Sequence, residues 1–143
     1  MSRKSESVLF YRRYVDDCFL IVKASDIDVV FNTFNNFNKY LLFTLEEEKE
    51  LKLNFLDLTI IRKKKTHPVT GWYQKPTATG RYINFNSHHP LNMKKALVYN
   101  LTDKVLLLSS SQFHKKKFDL ITQALLRNNY PQQFIKNHIK STH

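Results

Sequence analysis

"FYRRYVDDCFLIV" (residues 10–22) sets two aspartates side by side between two short apolar runs. Residues 8–14 and 18–23 are rich in aromatic and branched side chains, which predicts two strands flanking Val15-Asp16-Asp17. A tight two-residue turn favours Gly or Asn, so local structure gives little reason for adjacent like charges at this point. A hard divalent cation gives a better one, because Mg²⁺ takes oxygen ligands and keeps one or two protein carboxylates alongside substrate phosphates. The plain alternative is a solvated turn. Aromatic Tyr14, apolar Val15 and the two flanking runs weigh against it.

Outward from this hairpin the period changes. Over residues 25–43, Ile27, Val30, Phe31, Phe34, Phe37 and Leu41 recur at helical spacing, with Ser25 or Asp26 placed to cap the helix. Phe31, Phe34 and Phe37 are expected in its core. Alternation returns at Leu53, Phe55, Leu56, Leu58 and Ile60, which suits one long strand or two short ones. "THPVTG" (66–71) is turn chemistry, and "GWYQKPT" (71–77) reads as the returning strand of a hairpin. Residues 77–89 show no period and are expected as a loop. Pro90 then opens a helix to 109, a second runs over about 112–128, and Asn128-Asn129-Tyr130-Pro131 breaks it before a short final helix. The expected class is α+β: an antiparallel β part with a packed helix over residues 1–76, then a basic all-α part over 77–143.

Charge is divided unevenly along the 143 residues. Residues 1–61 carry 8 Lys and Arg against 10 Asp and Glu, whereas residues 62–143 carry 15 against 2. A segment this basic attracts polyanions, and the runs Arg62-Lys63-Lys64-Lys65, Lys94-Lys95 and Lys115-Lys116-Lys117 are each suited to phosphates. Any single run reads as readily as a solvated lysine face. Three runs with aromatics between them and almost no acids favour nucleic acid over membrane, since no bulky apolar helix face accompanies the lysines. The lone Cys18 excludes an internal disulfide framework and fits a reducing compartment. The N-terminus "MSRKSESVLF" lacks a signal-peptide run, and no apolar stretch is long enough to span a bilayer. A soluble, intracellular and nuclear protein is expected.

Other residues divide between packing and contact. Trp72, Tyr73, Tyr82 and Phe85, interleaved with Lys75 and Arg81, suit either core packing or base stacking beside backbone phosphates. Adjacent His88-His89 lacks a third clustered ligand and is not assigned a metal. The helices around residues 128–131 fit a DNA-reading helix-turn-helix, but the turn lacks the glycine often found there. Thumb-like packing, with duplex contact through lysines and no base-specific readout, is the expectation.

"YVDD" between hydrophobic strands resembles the Tyr-X-Asp-Asp motif of reverse transcriptases. "LNFLDLTIIRKKK", "GWYQKPTATGRYINFNSHHP" and "KKALVYNLTDKVLLLSSSQFH" resemble the segments that follow it in Penelope-like retroelements. "FDLITQALLRNNYPQQFIKNHI" is similar to the helix-turn-helix tail of related eukaryotic reading frames, so the resemblance covers roughly residues 8–139. It implies a partial palm carrying the hairpin, followed by a thumb-like helical region. It further implies RNA-directed DNA synthesis by two-metal transfer in the complete protein, with Mg²⁺ held by Asp16 and Asp17. By the same resemblance Tyr14 lies beside a template-primer of RNA and DNA. Trp72 and Lys75 belong to a primer-side hairpin, and the basic helices carrying Lys94, Lys95, Lys115, Lys116 and Lys117 form a thumb that grips the duplex.

One departure qualifies this. The family's first catalytic aspartate and its nucleotide-binding fingers lie upstream, and only 15 residues precede Asp16. The chain is therefore expected to resemble the downstream part of a reverse transcriptase, to be inactive as a polymerase alone, and to partner the missing upstream part. A non-catalytic helix-turn-helix-like nucleic-acid-binding module and an inactive retroelement relic are the alternatives.

Overall fold

A computed structural model describes residues 7–140, so residues 1–6, read above as lacking a signal peptide, and residues 141–143 lie outside the described part. The chain divides into two units, residues 1–47 and 48–143, and among the described residues the architecture is α+β with two small antiparallel sheets and four α-helices. The expected boundary at 76/77 falls inside the second unit.

The first unit holds the hairpin. Strands β1 (Val8–Tyr14) and β2 (Asp17–Val22) pair antiparallel, with Tyr14 opposite Asp17, so the connecting turn is Val15 and Asp16 alone. The chain reverses so tightly because Val15 takes φ 51, a left-handed conformation that is rare for a β-branched residue. The Arg13 guanidinium donates to the Val15 carbonyl at 2.7 Å and fixes the turn from outside. Helix α1 spans Ile27–Phe37, shorter than the 25–43 that the periodicity predicts. Asn38 is extended, and the Asn35 side chain holds the returning chain, accepting from Phe43 N at 2.6 Å and donating to its carbonyl at 3.4 Å. Phe34 packs edge-on against Phe43, with ring centroids 5.4 Å apart. The expectation of Phe37 in the core is overturned: Phe37 is 87% exposed, because the helix ends there and the packing turns to Phe43.

The second unit opens with a three-stranded meander. Strands β3 (Lys52–Phe55) and β4 (Leu58–Ile61) are joined through Leu56 and Asp57, with Leu56 at φ 53, and β5 (Val69–Trp72) follows after the exposed lysine loop. The outer edge of β5 is closed by side chains from the helical part. Thr70 N donates to Ser110 Oγ at 3.0 Å, Trp72 N to Ser109 Oγ at 2.8 Å, and Lys117 Nζ to the Trp72 carbonyl at 2.6 Å. Satisfying these backbone groups stops the edge from templating another strand.

Helices α2 (Leu91–Leu108), α3 (His114–Arg127) and α4 (Gln132–Lys140) then pack around a shared core of Trp72, Val98, Leu101, Val105, Ile121, Leu125, Tyr130 and Ile135. α2 supplies Lys94, Val98, Leu101, Thr102 and Val105 at three- and four-residue spacing, which keeps them on one face. Trp72 joins this core, so the helices share it with the sheet and do not form the separate all-α bundle expected.

Candidate nucleic-acid interface

Helix α3 ends where Asn128 replaces the next helical turn with a knot of hydrogen bonds. Its backbone N–H reaches Ala124 O and Leu125 O, and its side-chain amide donates to Gly80 O at 2.9 Å and Ala124 O at 2.7 Å. Its Oδ1 accepts from Tyr82 N at 3.1 Å. Asn129 follows at φ 64, a left-handed position that asparagine tolerates better than most residues. The absent glycine of the turn is therefore supplied in function by Asn129. Tyr130 is buried against Phe85 and Phe134, and Pro131 precedes the first residue of α4. The outcome is helix, four-residue turn, helix.

Helix α4 is sharply two-sided. Ile135 is buried and Phe134, His138 and Ile139 are partly buried, whereas Gln132, Gln133, Lys136 and Asn137 are exposed. Gln133 Nε2 donates to Asn137 Oδ1 at 2.7 Å, one turn along the helix, which orients both amides on the outer face. No Asp or Glu occurs after Asp119. Sequence reading missed these four residues because their separate types are ordinary for a surface helix. The signal was their combination: amides and a lysine at helical spacing, opposite an apolar stripe.

The cations singled out from sequence separate into committed and available groups. Lys63, Lys64 and Lys65 are exposed in the β4–β5 loop, and Lys75 and Arg81 are exposed in the segment after β5. Lys115 and Lys116 are exposed in the first turn of α3, which carries no acid, so their charge adds to the positive end of the helix dipole. Arg62 is held by Glu48 through two bonds of 2.6 and 3.0 Å. That pairing raises its already high pKa by hydrogen bonding and charge. Lys95 is half-buried.

Three expected contacts are corrected. Lys94 is 8% exposed, with its ammonium donating to Ser87 O at 2.7 Å and lying over the Phe85 ring, because a helix face turned to the core forces the amine to find an internal acceptor. Lys117 is turned inward to the Trp72 carbonyl, and burial followed by the charge of Lys116 lowers its pKa. Trp72 is 5% exposed, so its ring serves the core and not base stacking. Phe85 and Tyr82 are half-buried, each with one side against the core.

The aspartates lie in the other unit. Asp16 forms the turn and Asp17 begins β2; both are exposed, as is Tyr14. Among the described residues neither carboxylate has a hydrogen bond or ion pair, and no group of three or more His, Cys, Asp or Glu side chains is placed to hold a metal ion. His89 Nδ1 lies 2.9 Å from Ser87 Oγ. No helix among the described residues is long and apolar enough to cross a membrane.

The second unit is thus an α+β module whose last helix presents a polar, acid-free face beyond a tight turn. Over residues 81–140 the chain is similar to a described family, the Animal helix-turn-helix domain, whose family model matches those residues. No curated protein matches the chain, and no solved structure matches it.

Proposed function

We propose that the chain is a nucleic-acid-binding protein whose helical part docks on a duplex, with α4 as the helix that enters a groove. The observation that carries this is the outer face of α4: Gln133, Lys136 and Asn137 exposed, with the two amides preset by their mutual hydrogen bond. Gln and Asn pair bidentately with adenine and Lys with guanine in the major groove, so this face carries the groups that read base edges. The similarity of residues 81–140 to a helix-turn-helix domain supports the same reading. Lys115 and Lys116 supply phosphate contacts that position the module and carry no sequence information.

The test is fluorescence anisotropy of the whole chain with labelled duplex DNA at several salt concentrations. Binding is expected to weaken linearly in log K against log salt. Lys115→Ala with Lys116→Ala should reduce that slope by about 2, at roughly 0.9 for each phosphate no longer neutralised. Gln133→Ala with Asn137→Ala should leave the slope intact and remove about 1–3 kcal/mol of discrimination for each bidentate pair broken. No binding at low salt overturns the proposal.

A second reading rests on the hairpin. The exposed pair Asp16-Asp17 closing a two-residue turn beside Tyr14 supports the expectation that the chain is the downstream part of a reverse transcriptase. There the two carboxylates would supply oxygen ligands to Mg²⁺, the number such an ion commonly takes from protein. Mg²⁺ supplies charge neutralisation at the transferring phosphoryl group. The complete site needs a further part of the polymerase as partner. Under this reading, Mg²⁺ strengthens binding of an RNA–DNA hybrid, and Asp16→Asn with Asp17→Asn abolishes that strengthening. Equal binding with and without Mg²⁺ in the unaltered chain removes the reading.

A further inference from the structure

We propose that the two hollows flanking residues 74–82 form a track for single-stranded nucleic acid, separate from the duplex contacts of Lys115, Lys116 and α4. This rests on the nucleic-acid reading above and deepens it. The first hollow, about 340 Å³, is lined in part by Tyr73, Lys75 and Lys104, and the second, about 310 Å³, in part by Arg81, Tyr82 and Arg127. Gln74 and Ala78 line both, so the two are neighbours across one short stretch of chain.

Their chemistry points to a nucleotide strand. Four cations line the pair of hollows against one acid, Asp57, whose charge is answered by Lys104 at 3.7 Å. The Arg81 and Arg127 guanidinium groups make no ion pair among the described residues. Arginine both chelates phosphate and stacks on planar rings. Tyr73 and Tyr82 are half-buried and line the two hollows, where aromatic rings suit stacking of unpaired bases. Apolar Ile121 and Leu120 also line the second hollow. A paired duplex keeps its base faces stacked internally and presents none to such hollows, whereas an unpaired strand does.

The track is also built before any ligand arrives. Asn128 ties Gly80 and Tyr82 to the end of α3, and Gln74 Nε2 donates to Tyr82 Oη at 3.2 Å, joining the two hollows across the loop. Gly80 at φ 65 permits the close approach of its carbonyl to Asn128. A preset wall loses less conformational entropy on binding than a free loop.

The experiment is anisotropy of the whole chain with labelled dT12, labelled rU12 and a labelled duplex. The variants are Arg81→Ala/Arg127→Ala, the charge-keeping Arg81→Lys/Arg127→Lys, and Tyr82→Leu. The alanine pair is expected to weaken both single strands at least tenfold and the duplex severalfold less. The lysine pair should restore part of that loss. Tyr82→Leu should weaken the single strands without altering their salt slope, since it removes stacking and no charge. The ratio between dT12 and rU12 identifies which strand the track prefers. Equal losses for single strand and duplex, or no loss for single strand, overturn the track and leave the duplex reading standing. Failure of the unaltered chain to bind any of the three overturns both. Melting curves matching the unaltered chain establish that the variants are folded.

Discussion

In residues 48–140 eight apolar side chains are buried around one core, whereas in residues 7–47 no described side chain is. The contrast lies in layering and not in composition. The first unit is at least as rich in large apolar residues, and it holds 12 of the 17 that are exposed, among them Leu9, Tyr14, Phe37, Tyr40 and Leu42. A two-stranded sheet with one helix has too few faces to enclose them, and isolated hairpins are marginal in water. The second unit gives its sheet three helices, and it closes the β5 edge with Ser109, Ser110 and Lys117. An aromatic-rich sequence thus becomes a core only where a second layer is supplied by nearby chain.

The largest expected effect separates the units directly. Leu125→Ala empties a site with no exposure and should cost about 2–5 kcal/mol, while Phe37→Ala should change stability by no more than about 0.5 kcal/mol. Urea unfolding followed by circular dichroism checks both. A comparable loss at Phe37 would mean that the first unit has a packing partner for this ring, and the comparison would then fail.

Next comes the clipped edge. Ser109→Ala strands the buried Trp72 N–H and should cost about 1–3 kcal/mol, most visibly as faster amide exchange along β5. Lys117 adds a pH signature. Its pKa in the folded chain lies below the ordinary 10.5, so the unfolded chain binds more protons between the lowered value and 10.5. Stability contributed by this group therefore rises with pH through that window, and Lys117→Met should flatten the rise in an alkaline unfolding series.

Much of this second unit was legible in sequence. The apolar spacing at Val98, Leu101 and Val105 placed α2, Pro90 marked its start, and the break at residues 128–131 fell where the chain turns. The edge clip was not legible, because Ser109 and Ser110 reach β5 across 37 and 40 residues of chain. Nor was the fate of Lys94 and Lys117: a run of lysines looks uniform in sequence, but helical rotation sends one member inward and its neighbour out. The same rotation concealed the polar face of α4. In the first unit the two hairpin strands were readable from their aromatic and branched residues, though the turn is Val15-Asp16 and not the three residues 15–17 expected, whereas α1 ended early because Asn35 captured Phe43, a tertiary bond that no local period encodes.

The hairpin turn offers a change of opposite sign. Val15 sits at φ 51 and is exposed, so Val15→Gly relieves backbone strain while removing little packing. A gain of about 0.5–1 kcal/mol is expected, net of glycine's greater freedom in the unfolded chain. Protection of the β1–β2 amides should rise accordingly. If Mg²⁺-dependent hybrid binding falls in the same variant, the strain at Val15 is what aims Asp16 and Asp17, and the least packed region is the one held for chemistry.

The smallest effect concerns the depth of the second unit's core. Tyr130 is buried with its hydroxyl unpaired among the described residues, and burial raises its pKa. An unsatisfied buried hydroxyl costs free energy that a phenylalanine avoids, so Tyr130→Phe should be neutral or stabilising by no more than about 1 kcal/mol. The ring itself must stay, since it packs against Phe85 at 5.2 Å and Phe134 at 6.0 Å and locks the turn before α4. Tyr130→Ala should therefore cost several times more than Tyr130→Phe gains, and it should blunt duplex discrimination by freeing α4. If Tyr130→Phe instead weakens duplex binding without lowering stability, the hydroxyl acts outside the core. The turn residue would then belong to the interface as well as to the fold.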